Sequence, residues 1–157
     1  MDNKYVKLHS IVRMLAALLA IIVFISMFIA DQAVSDGGYY VINFRNGAFF
    51  GSSLWKGNPV AFFGYLFVLF GGLAGLAFVF VDEIIGKDLT NKLSFVAGIL
   101  ALVGAIAIVL YSPLFKGING FNNSFCHTGA APIIFGIFSV LVGCGNIAAP
   151  ILEKKGK

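Results

Sequence analysis

Four long apolar runs, separated by polar breaks of unequal length, set out the plan of this 157-residue chain. Met14 to Ala30 is apolar except for Ser26, and Ile11 and Val12 extend the run to about 20 residues, which is what ~30 Å of hydrocarbon requires of a helix rising 1.5 Å per residue. Val60 to Val81 carries no charge, and Leu93 to Tyr111 and Ala130 to Leu152 repeat the pattern. The runs predict an all-α membrane protein, a four-transmembrane-helix bundle in one domain (1–157), with spans at 11–30, 60–81, 93–111 and 130–152. The first run could also be read as a secretory signal, since Ala33-Val34-Ser35 has a small-x-small pattern, but it exceeds the usual 7–15 residue signal core.

The breaks differ in kind. DEIIGKDLTNK, between the second and third runs, is short and polar. Ser112-Pro113 is expected to end the third helix, because the residue before proline is pushed out of the α region, and a loop over 112–129 follows. The segment 31–59 is the longest polar interruption. Within it, YYVINFRNGAFF sets β-branched and aromatic residues around Asn46-Gly47, and Asn-Gly is a strong hairpin signal, since a type I′ turn needs positive φ at both central residues. Strands at Tyr40–Arg45 and Ala48–Ser53 are expected, forming a small β-hairpin that lies on the membrane surface, pairs with the second loop or meets a partner. Tyr39, Tyr40, Phe44, Arg45, Phe49, Phe50 and Trp55 are the candidate contact residues of this loop. Trp55, Tyr65, Tyr111 and Phe115 also suit the aromatic belt at a membrane interface.

Composition changes the picture little: 59% of residues are hydrophobic and 11% charged, against about 25% charged in ordinary soluble domains. Charge placement adds an orientation. Lys4, Lys7, Arg13, Lys87, Lys92, Lys154, Lys155 and Lys157 fall on one side, and Arg45, Lys56 and Lys116 on the other. The excess of Lys and Arg marks the cytoplasmic side, so both termini are expected inside and loops 31–59 and 112–129 outside. A chain rich in Phe, Ile and Lys points to a bacterial plasma membrane. The net charge of +4 forms no basic face with interleaved stacking aromatics, which argues against nucleic acid.

In lipid, helices associate through close packing at small residues. Gly64, Gly71 and Gly75 in the second run include a GxxxG. Ala97, Ala101 and Ala105 line the third, and Gly136, Ser139 and Gly143 the fourth. These stripes suit an internal four-helix bundle, or a face that pairs with a second copy or another membrane protein. Ionisable groups at membrane depth mark transport or catalysis; Asp31, Asp82, Glu83 and Glu153 all fall at span ends. The polar residues within the runs are Ser26, Ser139, Cys144 and Asn146, a possible polar path if the protein conducts a solute, with Asn146 better suited to an interhelical hydrogen bond.

Catalytic patterns are sparse. His9 and His127 are expected on opposite sides, and Cys126-His127 supplies only two of the three or four ligands that zinc takes. Cys126 and Cys144 form no CxxC. Gly71-Gly72-x-x-Gly75 lies in an uncharged span and cannot cradle phosphate, and Asn122-Asn123-Ser124 fits a glycosylation sequon. The expectation is a non-catalytic protein with no catalytic residues, no metal and no cofactor, acting as an accessory, scaffold or assembly subunit. The alternatives are a small oligomeric channel or transporter, or an enzyme acting on lipid through Cys126 and His127.

Four spans, cytoplasmic termini and a β-prone first outer loop with Ser53-Leu54-Trp55 before the second span resemble the claudin-like tetraspan layout, in which a Gly-Leu-Trp occupies the first loop. The paired cysteines that follow it there are missing here and the loop is shorter, so the resemblance implies layout and no residue's role.

Overall fold

A computed structural model describes the chain except Met1, Asp2, Asp36, Tyr39, Asn123, Ser124, Gly156 and Lys157, and leaves undescribed the side chains of residues 3–7 and Lys155. Its elements are α1 (Asn3–Ile29), β1 (Ala33–Ser35), β2 (Val41–Ile42), α2 (Pro59–Ile85), α3 (Lys87–Val109), α4 (Tyr111–Asn119), β3 (Cys126–Thr128) and α5 (Ala130–Lys155). Helices α1, α2, α3 and α5 are each long and apolar enough to cross a membrane, so the chain has the make-up of an integral membrane protein.

The four helices form a ring in which α1 and α3 each pack between α2 and α5, while α2 and α5 also touch across the centre. Large side chains such as Leu15, Ile25, Phe70, Phe80, Val96 and Ile137 point outward, and the interior combines Gly and Ala with a few larger residues such as Val23, Met27, Val68 and Ile108. The reason is steric. A Cβ on Gly104 would stand 2.5 Å from the Gly64 carbonyl oxygen, and one on Gly71 would stand 2.7 Å from that of Ala97. These close approaches of α2 to α3 require glycine.

The spans are longer and the connections tighter than their hydrophobic lengths suggest. The segment expected as a polar connector is almost wholly helical: α2 runs through Asp82 and Glu83 to Ile85, Gly86 alone turns the chain with φ of 85°, and α3 begins at Lys87. Ser112-Pro113 likewise does not open a loop. Pro113 falls in the first turn of α4, where backbone N–H groups have no intrahelical acceptor. The third span ends at Val109, and much of the expected loop 112–129 is helix.

The expected hairpin is also corrected. The structure has a three-stranded antiparallel sheet of order β2-β1-β3, with no strand pair across Asn46-Gly47. Phe44–Asn46 instead makes one 3₁₀ turn: Asn46 N donates to Asn43 Oδ1 (3.3 Å), and Asn43 N donates to Asn46 Oδ1 (2.7 Å). Only Gly47 takes positive φ there, whereas a type I′ turn needs it at both residues. The hairpin lies upstream, with Ala33 opposite Ile42 and Val34 opposite Val41. Its turn contains Gly37 and Gly38, both at positive φ. β1 also pairs with β3, so the two loops are joined in one sheet.

Candidate functional site

Two regions concentrate polar and aromatic side chains: the layer of loops at one end of the bundle, and a group of charged residues at the end carrying the termini.

The loop layer is built around Phe49, which is buried and packs at 5.8 Å from the Tyr65 ring and 5.9 Å from that of Tyr111. Tyr111 stacks on Phe115 (5.8 Å), Phe115 meets Trp55 (6.0 Å), and Phe121 stacks on Phe125 (4.0 Å). Polar groups fix this core. Tyr111 Oη donates to the Ala48 carbonyl (2.7 Å), and Asn58 Nδ2 donates to the Tyr111 carbonyl (3.1 Å) while Asn58 Oδ1 caps α2 at Ala61 N. Burial pushes the Tyr111 hydroxyl above the ordinary phenol range, reinforced by the neighbouring Cys126. Asn119 pairs with the backbone of Lys56 in both directions, at 2.6 and 2.9 Å.

Phe44 packs against this core. Trp55, expected at the membrane interface, is 9% exposed and belongs to the core, its ring edge-on to Tyr40. Tyr39 lies outside the described residues. Tyr40, Phe50 and Leu54 project outward, Phe50 and Leu54 each at 67% exposure. Residues 50–57 with Asn119 and Phe121 line an open hollow of about 740 Å3, and Arg45 borders a smaller one beside Phe28 and Ile29. Cys126 and His127 are adjacent on a strand and point to opposite sides, Cys126 buried against Ser112 and His127 exposed; sequon residues Asn123 and Ser124 are not described. Among the described residues, no three His, Cys, Asp or Glu side chains gather as a metal site.

Within the bundle, the small residues singled out from sequence face other helices of the same chain. Gly64 and Gly71 approach α3; Gly75 lies against Asn146 of α5, and Gly136 and Gly143 against Val109 and Leu102 of α3. Ala97, Ala101 and Ala105 are buried. The GxxxG of α2 is thus occupied internally by α3 and α5. Asn146 Nδ2 donates to the Gly71 carbonyl (3.1 Å). Pro150 cannot donate to the Asn146 carbonyl four residues earlier, and the Ser94 hydroxyl takes that acceptor at 2.8 Å. Ser26 and Ser139 bond to carbonyls of their own helices, at 2.6 Å each, and Cys144 is exposed on the outer surface. Nearer the loops, Tyr65 Oη donates to the fully buried Gln32 (2.8 Å).

The charged group is what the sequence reading missed. Arg13, treated there as a flanking residue, is 1% exposed, and Glu153, treated as part of a charged tail, is 4% exposed. Arg13 lies within electrostatic range of the Glu153 and Asp82 carboxylates without a direct ion pair to either. Lys87 Nζ reaches Glu153 Oε1 at 3.3 Å. Arg13 Nε and Nη2, Asp82 Oδ1, Glu153 Oε2 and His9 Nδ1 are buried and bond to no described protein group. Donors and acceptors that attract one another beyond direct reach are the arrangement that bridging water satisfies in buried sites. A signal existed: Arg13 stands three residues before Ala16 and seven before Ala20, on the same inward face.

No protein-family model, curated protein or solved structure matches this chain.

Proposed function

We propose that the chain is a non-catalytic integral membrane protein, an accessory, scaffold or assembly subunit whose contact surface is the loop layer. The carrying observation is that this layer is pre-organised. A sheet spanning both loops and a buried aromatic core hold Tyr40, Phe50 and Leu54 outward beside an open hollow. A rigid layer bearing exposed apolar groups binds without a large ordering cost. The interior glycine face is covered within the chain, which leaves the loops as the surface for another membrane protein or a second copy. In this reading the protein sits in a bacterial plasma membrane with both termini cytoplasmic, on the eight-to-three division of Lys and Arg.

Purification in mild detergent tests it. The intact chain should recover a partner or a homo-oligomer, and a Phe50→Ser, Leu54→Ser variant should lose it while remaining folded. Recovery of both as lone monomers refutes the reading. The second reading, a small oligomeric channel or transporter, draws on the buried Arg13 and Glu153 with the half-buried Asp82 beside them, since ionisable groups inside a membrane bundle often serve transport. It requires solute flux in proteoliposomes that falls in Asn146→Leu; absence of flux ends it.

A further inference from the structure

The outer surface at the terminal end carries a groove between α3 and α5, about 440 Å3 in volume, lined by Asp88, Asn91, Lys92 and Phe95 on one side and Ile147, Pro150, Ile151 and Lys154 on the other. Both sets follow i, i+3, i+4, i+7, so each is a single helical stripe. The helices run antiparallel here, and both stripes grade the same way along the bundle. Phe95 and Ile147 lie deep, Pro150 and Ile151 follow, and Asp88, Lys92 and Lys154 stand at the end. Over about 10 Å of helix, the groove passes from hydrocarbon-like to charged.

We propose that this groove binds an anionic phospholipid of the adjoining leaflet, with an acyl chain along Phe95, Ile147 and Ile151 and the headgroup phosphate at Lys154 and Lys92. Charge complementarity selects the ligand. Asp88 is held by Lys92 at 2.7 Å, which leaves Lys154 as the excess positive charge at the rim. Basic pockets between membrane helices favour anionic headgroups in this way. Asn91 adds a polar side chain to the groove lining beside these charges, at the level where a glycerol headgroup carries its hydroxyls next to the phosphate. Phosphatidylglycerol is the fitting chemistry. A zwitterionic lipid shares the acyl chain but offers no net charge, and free phosphate lacks the chain.

Native mass spectrometry of the detergent-purified chain with equal amounts of phosphatidylglycerol and phosphatidylcholine reads this directly. Preferential retention of phosphatidylglycerol is expected. Lys154→Gln should lower the preference about fivefold, the effect of one basic residue at an anionic surface, and Asp88→Asn should raise it. Lys56→Gln, at the opposite end, should leave it unchanged. All three side chains are exposed, so the fold is not at risk. Equal retention of both lipids, a preference indifferent to Lys154 and Asp88, or equal thermal stabilisation by inorganic phosphate alone would each overturn the proposal.

Discussion

Replacing Arg13 by methionine isolates the charged group at the terminal end. Methionine keeps most of the unbranched stem, so packing against α2 and α5 changes little, while the guanidinium disappears from a position 1% exposed. Glu153, 4% exposed, and the buried Oδ1 of Asp82 then lose their nearest buried counter-charge. Removing one partner of a directly paired buried salt bridge costs about 3–5 kcal/mol; Arg13 touches neither carboxylate directly, so the cost here is smaller, about 1–2 kcal/mol. Lys87 still reaches Glu153 at 3.3 Å, but its side chain is 57% exposed, and such a pair contributes at most about 1 kcal/mol. A loss of about 1–2 kcal/mol is therefore expected for Arg13→Met. Adding Glu153→Gln removes the carboxylate left uncompensated, so the double variant should be less destabilised than the sum of the single ones, by about 0.5–3 kcal/mol. Unfolding by denaturing detergent from mild-detergent micelles measures all three. Orientation should not change, because seven Lys and Arg residues remain on that side against three. An Arg13→Met variant within about 0.5 kcal/mol of wild type, or strict additivity in the double variant, would refute the assignment of these residues to one coupled network.

Two further outcomes follow from the geometry. Gly104→Ala places a Cβ 2.5 Å from a backbone oxygen, which must move apart by most of an ångström, and overpacking of this kind costs about 1–3 kcal/mol. Gly117→Ala, on α4 with nothing within 4 Å, should instead be neutral or stabilising by up to about 1 kcal/mol; the same unfolding assay separates them, and equal effects would contradict the α2–α3 contact. Tyr111→Phe strands the Ala48 carbonyl accepting at 2.7 Å and should cost about 1–3 kcal/mol. Since burial holds the Tyr111 hydroxyl above its unfolded value of about 10, its contribution is complete below that pH and is lost as pH rises toward the raised folded value. Thermal melts across alkaline pH should show this decline in the wild type and a weaker one in Tyr111→Phe.

The helices were legible because hydrocarbon thickness dictates length and an uncharged run of about 20 residues has few other uses. Their ends were not, since Glu83 and Lys87 can extend a helix past the apolar region as readily as they can leave it. The Asn46-Gly47 signal misled because Asn43 stands three residues before Asn46, and the reciprocal side-chain bonds between them favour a capped 3₁₀ turn. Asp36-Gly37-Gly38 is a turn signal of the same class, and Gly37 and Gly38 take the positive φ there, although the aromatic alternation downstream is the more strand-like stretch. Asn146 was readable as a helix-linking residue from its chemistry alone. Arg13 was not: a charge at the edge of an apolar run can snorkel to water or turn inward, and only packing decides.

The vertical arrangement of polar groups weighs between the two functional readings. They occupy three levels: Gln32, Tyr65 and Ser26 toward the loops, Ser94 and Asn146 in the middle, and Arg13, Asp82 and Glu153 at the terminal end. Between the first two levels lie Val23, Val68, Val142 and Ala101, each fully buried. A solute or a chain of water crossing one copy would have to part that layer, whose small side chains already pack helix on helix. A pore shared between copies fares no better, because the described outward-facing span residues are mainly Ile, Leu, Val and Phe, with Met14 and Cys144 among them. Interior polarity serves to join helices at discrete heights, which suits a stable support for the loop layer better than a path through the membrane.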